Sequence, residues 1–298
     1  GEGDDAIHIN SGDIGSGEVL DGGTGGSDTL RVVTNVADFR NAATVTNFEV
    51  FQLDEGQTAQ FFAAQVQGQG WEIMGSTPAG GEAIDFFGTA AGDVIDLTDL
   101  TFTDYDGNSV SIFGEGGADS ILGTIWDDSI EGGAGDDTID GNQGADTLDG
   151  GTGTNTASFA SSTGNVDVDL DAGQADNDGF GNIDILSNFT NVTTGSGDDT
   201  IHGTMVNNVI DGGAGMDVVS FEGSSSGLIA TLPADTSSPF VVNDPEEGSD
   251  TLVNVEGLIG GATSWDDITG NDSANYLGGL AGRDNLDGQG GDDTIDGG

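Results

Sequence analysis

Large apolar residues return every nine positions along much of this 298-residue chain. In "GGADSILGTIWDDSIEGGAGDDTIDGNQGADTLDGGTGTNTAS" they are Ile121, Ile130, Ile139 and Leu148, followed by the smaller Ala157. An acidic or amide residue stands two places before each: Asp119, Asp128, Asp137, Asp146 and Asn155. The register returns at Ile201, Ile210 and Val219, led by Asp199, Asn208 and Asp217. It returns again at Ile268, Leu277, Leu286 and Ile295, led by Asp266, Asn275, Asp284 and Asp293. Single copies carry Asp5 with Ile7 and Asp93 with Ile95, and a copy with one extra residue carries Asp28 with Leu30.

A period of nine fits neither a 3.6-residue helix nor a long alternating strand. Three residues such as "TID" make a very short strand with one apolar side chain turned inward. Six residues such as "GGAGDD" make a turn, in which glycine permits φ > 0 and close approach of the next turn. Two nonapeptides then close one coil, and coils stack with strands ~4.8 Å apart. The expected fold class is therefore all-β: a parallel β-solenoid (a β-roll or β-helix) with stacked turns and irregular loop insertions. The apolar positions form a thin core, and the acidic turns form two outer ladders.

Those ladders create an electrostatic problem. Lys and Arg number 3 against 54 Asp and Glu, for a formal net charge of −51. Such a balance opposes compaction through self-repulsion. The basic residues are Arg31, Arg40 and Arg283, too few for a nucleic-acid or anionic-membrane surface. Carboxylates stacked one coil apart repel by several kcal/mol if dry, and a hard cation between them reverses the sign. Calcium takes six to eight oxygen ligands from carboxylates and carbonyls, whereas magnesium tends to keep its waters. Zinc prefers His and Cys, and the chain has two His and no Cys. With no cysteine there is no disulfide, and no run of ~18 apolar residues spans a membrane. The chain opens on "GEGDDAIHI" and stops at "DGG", both inside the motif and with no signal peptide, as expected of a piece of a longer protein.

"GGAGDDTID" (132–140) and "GGAGMDVVS" (212–220) fit GGxGxDxUx, with U a large apolar residue, at every position; "GNQGADTLD" and "GQGGDDTID" fit it less fully. These segments resemble the RTX (repeats-in-toxin, hemolysin-type calcium-binding nonapeptide repeat) family. The resemblance implies that calcium lies between turns 18 residues apart, held by carbonyls and one Asp from each. Carried over, Glu115, Gly117 and Asp119 would join Gly132, Ala134 and Asp137. Thr124, Trp126 and Asp128 would join Gly141, Gln143 and Asp146, and Gly133, Gly135 and Asp137 would join Gly150, Thr152 and Asn155. Gly195, Gly197 and Asp199 would join Gly212, Ala214 and Asp217, while Ala262, Ser264 and Asp266 would join Gly279, Ala281 and Asp284. Asn271, Ser273 and Asn275 would join Gly288, Gly290 and Asp293, and Asp5, Asp28 and Asp93 are further candidate ligands. Asn155, Asn208 and Asn275 carry no charge, so their sites should be weaker or empty. Asp136, beside Asp137, is expected to face solvent.

The organisation reads as RTX-like repeats and a first spacer (1–51), a divergent insertion (52–87), an RTX block (88–158), spacer strands (159–193), a second block (194–220), further spacer strands (221–260) and a last, truncated block (261–298). "TASFASSTGNVDVDL" (156–170) aligns with "VVSFEGSSSGLIATL" (218–232), and "DILSNFTNV" (184–192) with "DTLVNVEGL" (250–258), a unit of about 65 residues. In the divergent part, "TAQFFAAQV" suits a short helix, and Phe61, Phe62, Trp71 and Met74 suit a local core. "TFTDYDGNSVSIF" reads as a hairpin turning at Asp106 and Gly107.

No catalytic constellation emerges. "DVDLDAG" (167–173) begins like an EF-hand, but its Gly is one position late and no Glu stands at position twelve, so it reads as an alternating strand. His8 and His202 are expected as exposed strand residues outside any HExxH motif, and there is no GxSxG elbow. The chain is thus expected not to be an enzyme. The resemblance implies an extracellular or cell-surface bacterial protein, exported by type I secretion, that folds on binding several calcium ions. Its role would be structural, as adhesin stalk, surface layer or matrix. The alternative is the accessory domain of a secreted enzyme or toxin whose catalytic part lies elsewhere. Calcium is the expected partner, with self-association through open solenoid ends a second one, and without nucleic acid or membrane insertion.

Overall fold

The computed structural model describes all residues except 1, 11–12, 34–35, 43, 76–80, 106–109 and 247. The described residues form a nearly all-β chain in two compact units, Gly1–Gly153 and Thr154–Gly298.

In the first unit, short strands stack in parallel. Ser120–Leu122 lies between Val94–Asp96 and Thr138–Asp140, with Ile121 opposite Ile95 and Ile139. Asp128–Glu131 lies between Val110–Phe113 and Thr147–Asp149, with Ile130 opposite Ile112 and Leu148. Ile121 and Ile139, like Ile130 and Leu148, are 18 positions apart, so two nonapeptides close one coil. Ile121, Ile130, Ile139 and Leu148 are buried, while Ser129, Thr138 and Thr147 beside them face solvent. Each such buried side chain contributes about 1.5–3 kcal/mol.

Coils nearer the N-terminus are wider. Ala6–Ile9, Thr29–Val32, Val50–Leu53, Glu72–Met74 and Thr101–Thr103 form one parallel sheet. Val36–Asp38, Thr58–Phe62, Ala83–Phe87 and Val110–Phe113 stack in another. Leu30 faces Phe51, 21 positions on, and Ile73 faces Phe102, 29 positions on. The longer circuit encloses larger side chains: Phe39, Phe51, Phe61, Trp71 and Phe86 are fully buried. Phe39 stacks on Phe61 with centroids 4.4 Å apart, and Phe51 on Trp71 at 5.8 Å.

Residues 52–87 therefore supply solenoid strands. The helix foreseen over "TAQFFAAQV" is confined to Ala63–Val66, after the strand Thr58–Phe62. Phe61 and Trp71 enter the core, whereas Phe62 is exposed and Met74 half-buried, because alternate strand residues face outward. The foreseen hairpin does not form. Thr101–Thr103 pairs with Glu72–Met74, while Val110–Phe113 pairs with Ala83–Phe87 and Asp128–Glu131, in a different sheet. Stacking buries Val110 and Ile112 against Ile84, Phe86 and Ile130. Asp106 and Gly107 lie outside the described residues.

In the second unit, Thr200–His202 lies between Val166–Asp169 and Val218–Ser220, and the sheet continues in parallel through Gly257–Ile259, Tyr276–Gly278 and Thr294–Asp296. Thr156–Ser158, Asn191–Thr193, Val209–Asp211 and Gly248–Val253 form another sheet, and Ile229–Thr231, Asp267–Thr269 and Asn285–Asp287 a third. The 18-residue step holds at Ile201 with Val219, Ile268 with Leu286 and Leu277 with Ile295. It lengthens to 39 at Val219 with Leu258 and 42 at Ile210 with Leu252. The extra residues include the antiparallel ribbon of Phe240–Asp244 with Gly248–Val253, and a second ribbon, Val166–Asp169 with Gln174–Asp178, lies in the 35-residue step from Ala157 to Val192. "DVDLDAG" is strand at Val166–Asp169, with Val166 and Val168 buried. The two aligned spacers turn alike: Ser162 N–H donates to the Phe159 carbonyl and Ser224 N–H to the Phe221 carbonyl, both at 3.0 Å. No helix among the described residues is long and apolar enough to cross a membrane.

Candidate metal centre

The geometry of each turn begins with its glycines. A Cβ on Gly132 would lie 2.6 Å from Asp137 Oδ2, so this position must be bare for Asp137 to fold back over it. Gly135 has φ 147°, a conformation that side chains rarely adopt. With that backbone the turns bond to one another. Ala134 N–H donates to the Glu115 carbonyl at 3.0 Å, and Gly117 N–H donates to the Ala134 carbonyl at 2.7 Å. The same pair recurs at Ala214 with Gly195 and Gly197 with Ala214, both at 2.9 Å.

Turn stacking sets the carboxylates in ladders. Oδ1 of Asp137 accepts the N–H of Asp119 at 2.8 Å, and Oδ1 of Asp146 that of Asp128 at 2.8 Å. Oδ1 of Asp217 accepts from Asp199 at 3.0 Å, Asp284 from Asp266 at 3.1 Å, and Asp293 from Asn275 at 3.0 Å. Every one of these contacts spans 18 residues. The second oxygen is left over. Oδ2 of Asp119, Asp217, Asp266 and Asp284 is buried and accepts no hydrogen bond among the described residues. A buried polar atom without a partner costs about 1–3 kcal/mol, more if charged. Without a cation, burial pushes the Asp119 and Asp266 carboxyls above the ordinary carboxylate range and Asp217 up to about 7, the neighbouring carboxylates adding to the shift.

Among the described residues no three His, Asp or Glu side chains converge on one point. A cation in a ladder would therefore draw on two carboxylates and the carbonyls of glycine-rich turns, an oxygen-only donor set that suits calcium. The orphaned Oδ2 atoms fit that ion.

The sequence-derived sets are placed unevenly. Asp119 with Asp137, Asp199 with Asp217, and Asp266 with Asp284 are each joined in a ladder. The carbonyls of Glu115, Ala134, Gly195 and Ala214 already accept one turn-to-turn bond and keep a second lone pair. Gly133 likewise accepts from Thr152 N–H at 2.7 Å, and Gly135 N–H donates to Thr152 at 2.9 Å. Asp5 N–H meets Asp28 Oδ1 at 2.8 Å, Asp28 N–H meets Glu49 Oε2 at 2.7 Å, and Asp93 N–H meets Asp119 Oδ1 at 2.7 Å. Asn155 is buried and donates Nδ2 to the Asn188 carbonyl at 3.0 Å. Asp128 and Asn275 differ from the open carboxylates, because residues of their own turns occupy their oxygens.

Sequence reasoning missed two further acidic positions. The ninth-position Asp of one repeat accepts the second N–H of the next: Asp140 from Asn142 and Asp149 from Gly151 at 2.9 Å, Asp211 from Gly213 at 3.1 Å. The fifth-position Asp127 accepts from Ala145 at 2.8 Å. The recurrent final Asp of "TID", "TLD" and "VID" was the available signal. Asp136 is exposed, as expected. His8 is exposed, but His202 is half-buried, with Nδ1 3.1 Å from Asp169 Oδ1, because the parallel register sets the two side chains opposite each other.

A family model described as RTX calcium-binding nonapeptide repeat matches residues 127–157, 192–223 and 269–298. The chain carries RTX calcium-binding repeats. No curated protein matches it. The RTX segments contain the ladders of Asp146, Asp217 and Asp293, and they are calcium-binding elements without catalytic groups of their own.

Proposed function

We propose that this RTX chain is an extracellular module of a secreted bacterial protein that folds when it binds calcium and then serves a structural role, as a stalk, surface-layer or matrix segment. The observation that carries the reading is the set of buried, unpartnered Oδ2 atoms at Asp119, Asp217, Asp266 and Asp284. In a chain of net charge −51, those oxygens make the ladders unfavourable until a cation is shared between coils. Asp119 with Asp137, Asp199 with Asp217, and Asp266 with Asp284 would hold it, together with turn carbonyls. Calcium supplies positive charge and oxygen coordination there; the chain supplies a preset spacing of carboxylates. Because a formed site exists only in the fold, binding free energy becomes folding free energy. Extracellular modules bind in the ~10⁻⁴–10⁻³ M range.

Far-ultraviolet circular dichroism in millimolar calcium and in excess chelator tests this. Calcium should bring a large gain in β signal. Identical spectra in both conditions would defeat the proposal.

A further inference from the structure

The repeats close their sixth-position side chain in two different ways. In the turn that ends at Asp217, Gly213 has φ 79° and its N–H points back to Asp211 Oδ1 at 3.1 Å. The turn ending at Asp146 is built alike, with Asn142 at φ 71° and its N–H on Asp140 Oδ1. In the turn ending at Asp284, Leu280 has φ 52°. With the second N–H turned away, Oδ2 of Asp217 and Asp284 is left without a donor.

Four turns do the opposite. Their second residue is Thr89, Thr124, Thr204 or Asn271, and none of these has a positive φ. Its N–H points forward to the sixth-position side chain: Thr89 to Asp93 Oδ2 at 2.6 Å, Thr124 to Asp128 Oδ2 at 2.7 Å, Thr204 to Asn208 Oδ1 at 2.8 Å and Asn271 to Asn275 Oδ1 at 2.7 Å. Its side chain then accepts the N–H of the fourth residue in three of them, Ala91 at 3.2 Å, Trp126 at 3.1 Å and Ser273 at 2.8 Å. At Asp128 the Thr124 hydroxyl also reaches both oxygens, at 3.0 and 3.1 Å. At Asn208 the amide Nδ2 returns a bond to Thr204 Oγ1 at 2.8 Å.

We infer that these four turns are closed by their own second residue and take no calcium, so that the direction of the second N–H, which Asn142 and Asn271 set oppositely, decides which RTX turns are metal sites. The inference rests on calcium binding by the open turns. Two physical points support it. The oxygen that an open turn leaves for a cation is here already hydrogen-bonded inside the turn. Two of the four closed turns carry Asn at the sixth position, where an uncharged side chain serves as well as Asp for accepting an N–H but poorly for holding a cation. Closed turns thus shape their coils at any calcium concentration, while open turns make folding depend on it.

The test is the number of calcium ions bound to the whole chain, read by native mass spectrometry and by calorimetric titration. Asp128→Asn should leave the number unchanged, since Asn208 and Asn275 already occupy that position. Asp217→Asn should lower it by at least one ion, and Thr124→Gly, which frees the closed turn, should raise it. Loss of an ion in Asp128→Asn equal to that in Asp217→Asn would overturn the inference while leaving calcium-dependent folding intact. A wild-type chain that binds no calcium would instead defeat the reading on which it rests. Terbium luminescence supplies a second measurement on near-native chains, because Trp126 sits in a closed turn and Trp265 directly precedes Asp266 of an open one. Trp265→Phe should lose tryptophan-sensitised emission and Trp126→Phe should keep it; the reverse result would overturn the inference.

Discussion

Asp198 and Asp199 are adjacent in sequence yet bind opposite neighbours in the stack. Asp198 Oδ1 accepts the N–H of Met216 in the following coil at 2.9 Å, and Asp199 Oδ1 accepts the N–H of Val166 in the preceding coil at 2.7 Å. Asp198 is exposed and Asp199 buried. One dipeptide therefore ties three coils together, with the outer carboxylate solvated and the inner one facing the ladder.

Asp119→Ala should raise the calcium midpoint of folding. The substitution removes the acceptor of the Asp93 N–H and one carboxylate of the Asp119–Asp137 pair. A hydrogen bond to a charged group contributes about 1.5–3 kcal/mol, so the midpoint should move roughly tenfold or more when followed by circular dichroism during calcium titration. An unchanged midpoint would remove Asp119 from the set of ligands.

Gly132→Ala should destabilise the calcium-bound fold by about 1–3 kcal/mol, because the new methyl meets Asp137 Oδ2 at 2.6 Å. Gly297→Ala, which meets nothing within 4 Å, should stay within about 0.5 kcal/mol. Urea unfolding at fixed calcium compares the two.

In chelator, residual structure should increase as pH falls. Burial pushes Asp128 up to about 8 and Asp217 up to about 7 when no cation is present. Between the ordinary carboxylate range near ~4 and those values, the folded chain holds protons that the unfolded chain has released, so stability falls as pH rises. The contribution is fully present below ~4 and lost as pH passes 7 to 8. Calcium affinity should change in the opposite direction, since protons and calcium compete for the oxygens of Asp217. Ellipticity in chelator that is flat from pH 8 to pH 5 would contradict this assignment.

The aromatic core of the wide coils should resist chelation longest. Phe39, Phe51, Phe61 and Trp71 are fully buried by contacts that involve no turn carboxylate. In a chain with Trp126→Phe and Trp265→Phe, Trp71 should keep a blue-shifted emission and low iodide quenching in chelator, and Phe61→Ala, at a cost of about 3–5 kcal/mol, should abolish both. Complete quenching of Trp71 on calcium removal would show that the wide coils depend on calcium as well.

The nonapeptide register was sufficient to place Ile121 over Ile139 and Asp119 under Asp137, because an 18-residue circuit repeats each turn and each inward side chain at a constant interval. It also placed the sixth-position carboxylates in ladders, since a constant 18-residue circuit brings each beside the next, and like charges at that spacing call for a cation. The wide coils over 52–87 were not legible, because circuits of 21 to 29 residues have no constant interval and their strands join partners far along the chain. Nor could the sequence tell that Thr124 closes on Asp128 while Gly213 turns away from Asp217. That choice is made by the backbone at one residue, which directs a single N–H either four residues forward to Asp128 or two residues back to Asp211; both acceptors are local, so the conformation that the coil imposes on that residue, and not the residue pattern, selects between them.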